Sequence, residues 1–137
     1  MRHPITLFVS GLLAVSALAV SLQAQAPAAS PDVKKIKNPV ASSPASISAG
    51  AATYKKYCAF CHNDDATGDG PMAPKDSHPP DLTDVSKMHG PTDGEIFTTI
   101  KMGGGPKSVM KPFGQKIMDQ DIWNVVNFLR SLQHPAK

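Results

Sequence analysis

Cys58-Ala59-Phe60-Cys61-His62 is the stretch that decides the fold of this 137-residue chain, and it contains the only two cysteines in the sequence. Residues three apart in a helix lie on one face, so both thiols would point in the same direction. A Cys-x-x-Cys-His pattern is typical of covalent c-type haem attachment, in which the thiols bond the porphyrin edge and the imidazole binds the iron. The pattern therefore predicts one haem c, bonded to Cys58 and Cys61, with His62 as an axial ligand.

Three other interpretations of the cysteine pair fit the sequence less well. A disulfide across two intervening residues would be strained, close almost no loop and add little stability. A thioredoxin-like redox pair requires a preceding strand, whereas residues 49–57 have a helical pattern. A structural zinc site requires four ligands, and the chain has no second cysteine pair to complete one.

The first 28 residues have the features of an export signal. Arg2 and His3 precede an apolar run from Ile5 to Val20, and small residues follow. We expect cleavage near residues 24–28, although the apolar run is also long enough to be retained as a membrane anchor. The sequence thus predicts a periplasmic protein that contacts the membrane only if this segment is retained.

The rest of the sequence divides into a linker and one domain. Residues 29–46 are rich in Ala, Ser and Pro and have few large apolar residues, which predicts an extended or disordered linker. Residues 47–137 then form a single domain, short enough that a buried porphyrin would add substantially to its core. The net charge is only +3, and no basic run indicates a nucleic-acid partner.

Helical periodicity accounts for three segments of the domain, and no segment alternates as a strand would. Ser48 is a candidate N-cap for a first helix that runs into the cysteine motif. Thr92-Asp93-Gly94-Glu95 predicts a capping box for a central helix, which Gly103-Gly104-Gly105 would end as a turn. Asp119 is a candidate N-cap for a last helix with apolar residues at helical spacing. The predicted fold class is all-α.

These motifs together resemble the class I c-type cytochromes over residues 46–132. The resemblance rests on Gly50…Tyr54…Cys58-x-x-Cys61-His62, Gly68-Asp69-Gly70-Pro71, Val109-Met110-Lys111-Pro112-Phe113-Gly114 and the terminal residues 121–132. It implies a cytochrome c-like fold of three main helices and loops around one covalent haem. The first and last helices would cross beside the haem, with Gly50 and Phe128 at the crossing. The resemblance further implies an electron carrier rather than an enzyme.

The second axial ligand of the iron has several candidates. Met110 lies in a loop shortly before Pro112, where the resembling family places its axial methionine, and we expect this residue to bind the iron opposite His62. His78 and His89 would instead give bis-histidine ligation and a lower potential. Four further methionines lie in a turn or near helices, where methionine usually fills core gaps: Met72, Met88, Met102 and Met118.

The resemblance also assigns a role to a proline that follows the haem motif. Pro71 stands where the family has a proline whose carbonyl oxygen accepts the Nδ1 proton of the haem histidine. Such a bond would fix the orientation of the His62 ring and make its other nitrogen a stronger ligand. Pro74 is the alternative residue for this role.

The charges of the domain are segregated along the sequence. Residues 64–95 have a net charge of −6, whereas four lysines surround the Met110 loop: Lys101, Lys107, Lys111 and Lys116. The resemblance places this loop beside the exposed haem edge, where lysines could steer an acidic redox partner. The alternative is an ordinary solvated surface.

Three classes of function fit the sequence. The first is a periplasmic electron carrier, which could equally be the dedicated cytochrome subunit or electron acceptor of a periplasmic dehydrogenase complex. The second is a haem sensor or enzyme, which requires an open iron position. The third is a thiol oxidoreductase without haem. The cysteine motif and the resemblance together favour the first class.

Overall fold

The computed structural model describes residues 32–88 and 90–133, and this part of the chain is helix and loop. The α-helices are α1 (Pro44–Tyr57), α2 (Ala59–His62), α3 (Asp93–Met102) and α4 (Asp119–Leu132), and single 3-10 turns form at Val33–Lys35 and Val85–Lys87. None of the described residues lies in a strand. The predicted all-α fold class is confirmed.

The predicted signal segment, residues 1–28, lies outside the described residues, as does His89. Among the helices that the structure does describe, none is both long enough and apolar enough to cross a membrane.

The crossing of α1 and α4 forms the centre of the core. Gly50 of α1 faces α4 so closely that an added Cβ would overlap the Asn124 carbonyl oxygen and lie 2.9 Å from the Phe128 Cβ. One turn later, the Tyr54 ring packs against Phe128 with a centroid separation of 5.2 Å. The buried face of α4 is apolar, with Ile122, Val125, Val126 and Leu129 almost fully enclosed. The expected contact between Gly50 and the last helix is therefore present.

Helix α3 packs on the other side of α4 and starts where the sequence predicts. The Thr92 hydroxyl accepts the Glu95 N–H, and the Glu95 carboxylate accepts the Thr92 N–H, so the capping box is complete. Phe97 stacks on Trp123 with ring centroids 4.0 Å apart. Arg130 of α4 also donates to Asp93 at 2.7 Å. The packing and the ion pair together fix α3 against α4.

Two predicted helix starts differ from the structure. Helix α1 begins four residues before Ser48, because Ser43 and Ser46 form a reciprocal capping box and Pro44 occupies the first helical position. Helix α4 has Met118 at its N-cap, without a side-chain hydrogen bond. Asp119 is instead the first residue of the helix, where its negative charge interacts favourably with the helix dipole.

The described part of the predicted linker, residues 32–46, is packed on the domain rather than extended or disordered. The Asn38 amide donates to the Trp123 carbonyl at 3.1 Å and to Asn127 Oδ1 at 2.8 Å. The Asn127 amide in turn donates to the Val40 carbonyl and to the Ser46 hydroxyl, both at 3.1 Å. These bonds, and the packing of Val33 and Ile36 against Gly94 of α3, make residues 33–46 part of the folded domain.

We expect Gly50→Ala to destabilise the protein by about 2 kcal/mol or more, because the new Cβ would overlap the Asn124 carbonyl. Helix propensity acts in the opposite direction, by about 1 kcal/mol in favour of Ala. Denaturant unfolding of the purified protein measures the change. The control is Ala49→Gly at the exposed neighbouring position, which should cost about 1 kcal/mol through propensity alone. A Gly50→Ala variant as stable as wild type would contradict the close crossing.

Candidate functional site

In the cysteine motif, Cys58 joins α1 to α2, and the other four residues are the short helix α2. The carbonyl oxygen of Cys58 accepts the N–H groups of both Cys61 and His62, at 3.1 and 2.9 Å. Both cysteines are free thiols. The side chains of all three residues line the same cavity. The structure therefore brings together the three residues that the motif predicts to hold a haem.

The cavity has a volume of about 640 Å³, within the range of cofactor and ligand pockets. Ile96 and Ile100 of α3 and Val125 and Leu129 of α4 form much of its apolar wall. Loop residues complete the wall, among them Leu82, Phe113 and the prolines at 79 and 80. A cavity with this apolar lining fits the body of a porphyrin.

Two methionines line the cavity, and their sulfur atoms differ in hydrogen bonding. The Met88 sulfur accepts a hydrogen bond from the Gln133 amide at 3.2 Å. Met110 is half-buried, and within the described residues its sulfur accepts no hydrogen bond. The side chains of the other candidates are largely exposed: Met72 (68%), Met102 (66%) and Met118 (72%). Met110 is thus the methionine best placed to offer its sulfur to a group in the cavity.

The His62 imidazole is half-buried beside the cavity, and its Nδ1 has no hydrogen-bond partner among the described residues. Its Nδ1 is fully enclosed, and no described residue bonds to it. Burial lowers the pKa of this imidazole, which favours the neutral form that binds metals. An iron bond would form at the other ring nitrogen, Nε2, so the unpaired Nδ1 is a cost that metal binding by itself would not remove. The neutral imidazole beside the cavity therefore fits the proximal side of a haem.

The hydrogen bond expected between His62 Nδ1 and the Pro71 carbonyl is not formed. Pro71 is exposed and does not line the cavity, because the turn that contains it is closed on itself and on the haem motif. The Met72 N–H donates to the Phe60 carbonyl at 2.8 Å, and the Ala73 N–H donates to the Gly70 carbonyl. Pro74, the alternative, lines the cavity but does not accept the bond either.

His78, a rival axial ligand, lies at the edge of the cavity. Its side chain is 62% exposed, and its Nδ1 is 3.6 Å from the Asp69 carboxylate. A bis-histidine site would need this side chain to leave Asp69 and move inward. The geometry favours Met110 over His78.

The environment of Cys58 is unlike that of a redox-active thiol. Burial, with a smaller contribution from nearby Cys61, raises the pKa of the Cys58 thiol to about 12. Thiol oxidoreductases require a lowered pKa, since the thiolate is the nucleophile. Among residues 32–88 and 90–133, no three His, Cys, Asp or Glu side chains converge as a metal-ion site would require. Both findings weigh against the thiol and zinc interpretations.

The structure adds Tyr54 to the site, a role that the sequence did not predict. Asn63, directly after His62, has a φ of 65°, a conformation that non-glycine residues rarely adopt. The buried Tyr54 hydroxyl donates to the Asn63 carbonyl at 2.8 Å and so holds this turn in place. Tyr54 also lines the cavity, and burial raises the pKa of its phenol well above the usual value. The sequence indicated this role only through the position of Tyr54 in the motif that carries the family resemblance.

The four lysines near Met110 do not form one continuous ring. Lys107 and Lys111 are exposed and line the cavity, so they lie where it opens to solvent. Lys101 pairs with Asp119 at 2.8 Å, which offsets part of its charge. Lys116 lines a separate, smaller concavity of about 250 Å³.

Comparison with known proteins agrees with this geometry. The family described as "Cytochrome C oxidase, cbb3-type, subunit III" matches residues 45–129. Cytochrome cL from Methylophaga aminisulfidivorans is 26% identical, with a TM-score of 0.52 over 66% of this chain and 55% of that one. Cytochrome cL from Hyphomicrobium denitrificans is also 26% identical, with a TM-score of 0.51 over 64% of this chain and 48% of that one. The cytochrome c-like fold is confirmed.

A third solved structure, the Kuenenia stuttgartiensis reducing HAO-like protein complex, shares the fold. It is 24% identical, with a TM-score of 0.63 over 81% of this chain and 53% of that one. The chain thus spans about half the length of these three solved chains. No curated protein matches the sequence.

We expect Tyr54→Phe to cost about 1–2 kcal/mol at neutral pH, because the Asn63 carbonyl loses its donor. Above about pH 10 the unfolded wild type loses the phenolic proton whereas the folded protein keeps it, so wild-type stability falls as pH rises. The variant lacks this contribution. The stability difference between the two proteins should therefore stay constant from about pH 8 to pH 9 and shrink between about pH 9 and pH 11.

Denaturant unfolding across this pH range measures the effect. Tyr57→Phe is the control, since the Tyr57 hydroxyl has no hydrogen-bond partner among the described residues, and it should be close to wild type at neutral pH. A stability difference for Tyr54→Phe that stays constant with pH would contradict the raised pKa.

Proposed function

The chain belongs to the cytochrome c family described as cytochrome c oxidase, cbb3-type, subunit III, and from this membership we propose that it is an exported electron-transfer protein with one haem c. The observation that carries the proposal is the shared cavity: Cys58, Cys61, His62 and Met110 all line it. The haem, when bound, supplies an iron that gains and loses one electron at a time. The protein holds this group and excludes water from it.

The two thiols would bond the porphyrin covalently, and His62 and Met110 would bind the iron from its two sides. The His62 imidazole, which burial keeps neutral, and the Met110 sulfur, which accepts no hydrogen bond from the described residues, support this assignment. With both ligands in place no iron position is open to substrate, which supports an electron carrier rather than a haem enzyme or sensor. Thioether ligation and an apolar cavity both favour the ferrous state, so we expect a positive reduction potential.

The redox partners are proteins, and two arrangements agree with the family. In the first, the protein shuttles electrons between partners in the periplasm. In the second, it is a dedicated subunit or electron acceptor of a larger oxidoreductase, an arrangement that the family's description as an oxidase subunit supports. Contact with the membrane depends on whether residues 1–28 are retained.

Lysines at the opening of the cavity would steer acidic partners. Lys107 and Lys111 provide the charge at this position, with Lys101 and Lys116 farther around the loop. Because both residues are exposed, their contribution should act on association rates and weaken with salt.

The spectrum of pyridine haemochrome tests the covalent haem. The exported, denatured protein should retain its haem on the polypeptide, with the spectrum of two thioether bonds. Cys58→Ala and Cys61→Ala should each shift the spectrum to that of a single bond. A mature, exported sample that is colourless and has two free thiols would refute the proposal.

Replacing Met110 tests the sixth ligand. Met110→Ala should let the ferrous protein bind carbon monoxide readily and should lower its reduction potential, because a thioether ligand raises the potential. Met88→Ala is the matched control, since Met88 lines the same cavity but bonds to Gln133. It should keep the resistance of the wild type to carbon monoxide. The opposite result for the two variants would transfer the ligand role to Met88.

Small oxidants of opposite charge test the lysines without requiring the natural partner. The double variant Lys107→Glu/Lys111→Glu should be oxidised more slowly than wild type by ferricyanide and faster by tris(phenanthroline)cobalt(III) at low ionic strength, and both differences should vanish at high salt. The charge-matched control Lys34→Glu/Lys35→Glu changes residues that do not line the cavity. Equal effects in the two double variants would exclude local steering.

A further inference from the structure

The loop that carries Met110 is anchored to the end of α3. The Phe113 N–H donates to the Ile100 carbonyl and the Gly114 N–H donates to the Lys101 carbonyl, both at 3.0 Å. Carbonyl groups in the last turn of a helix lack partners within the helix, so these two bonds satisfy them. The part of the loop that follows Met110 is therefore fixed to α3. These two bonds do not themselves orient Met110.

The backbone of Met110 is held on both sides from within the loop. Its carbonyl oxygen accepts the Gly104 N–H at 3.1 Å. Its N–H donates to the Ser108 hydroxyl, also at 3.1 Å. The Ser108 N–H donates to the Gly105 carbonyl, which closes the loop on itself. Ser108 thus connects Met110 to the glycine run.

The glycine run is shaped around Ser108 and Met110. A Cβ on Gly104 would overlap the Ser108 hydroxyl and would lie 2.7 Å from the Ser108 Cβ. Gly103 has a φ of +85°, and a Cβ there would lie 2.9 Å from the Met110 carbonyl oxygen. Glycine is therefore required at 104 by space and at 103 by both space and conformation. The run provides room for Ser108 to reach the Met110 N–H.

We propose that Ser108 is a positioning residue for Met110: its hydroxyl fixes the Met110 backbone so that the thioether stays in the cavity. Met110 is half-buried, so without the hydroxyl its N–H would lose an acceptor that water replaces poorly. Loop conformations with the sulfur outside the cavity would then be more populated. The proposal rests on the His62 and Met110 ligation proposed above.

The experiment uses the full-length, exported, haem-loaded protein and four variants at two serines. Ser108→Ala removes the hydroxyl. Ser108→Thr and Ser108→Val form a pair of equal shape, of which only Thr keeps the hydroxyl. Ser86→Ala is the control, because this loop serine also bonds within a short turn but does not line the cavity.

Exogenous imidazole competes with Met110 for the ferric iron, so its apparent affinity measures how firmly the thioether is held. Ser108→Ala and Ser108→Val should bind imidazole about three- to tenfold more tightly than wild type. Ser108→Thr should lie closer to wild type than Ser108→Val does, and Ser86→Ala should match wild type. The absorption band of the ferric iron–methionine bond should weaken in Ser108→Ala and Ser108→Val.

Each other outcome overturns a specific claim. If Met110→Ala and wild type bind imidazole equally, Met110 is not the ligand and the proposed ligation fails. If Met110→Ala binds more tightly but Ser108→Ala and Ser108→Val match wild type, the ligation stands and the role of Ser108 is refuted. Equal behaviour of Ser108→Thr and Ser108→Val, or a shift in Ser86→Ala, would also refute it, because the hydroxyl would not be the cause.

Discussion

The distance between α1 and α4 is the constraint on which the cavity depends. Gly50 leaves no room for a side chain against the Asn124 carbonyl, so the two helices pack backbone to backbone. This contact places Tyr54 and Cys58, farther along α1, on the same cavity wall as Val125 and Leu129 of α4. A wider crossing would separate Cys58 from the apolar surface that a porphyrin would cover.

The domain contains an apolar cavity of the kind that a cofactor would fill. Elsewhere the chain pairs its buried polar groups closely, as the Asn38 and Asn127 amides do. At the cavity the Nδ1 of His62 has no partner among the described residues. A domain of about a hundred residues has a limited core of its own, so a bound porphyrin would contribute much of the stabilising apolar contact. Function and stability would then depend on the same group.

Short sequence motifs predicted those features of the fold and the site that depend on neighbouring residues. The Cys58 to His62 motif and the capping box at Thr92 each follow from a few neighbouring residues, whereas the crossing at Gly50 was implied by the family resemblance. Contacts between distant segments were not predictable in this way. The packing of residues 38–41 depends on Asn127, more than eighty positions away, and the Ala-, Ser- and Pro-rich composition of this segment suggested a linker. The expected Pro71 bond is absent because the local turn takes another course.

The hydrogen bonds between Asn127 and residues 38–46 also affect how far the domain could reach from a bilayer. A linker that ended at residue 46 would leave fourteen more residues free than a chain that joins the folded domain at Val33. An extended chain spans about 3.3–3.6 Å per residue, so those residues would add up to about 50 Å to the length of the tether. If the N-terminal segment stays in the membrane, the shorter tether would hold the domain closer to the lipid surface. Electron exchange would then favour partners whose docking sites lie near that surface.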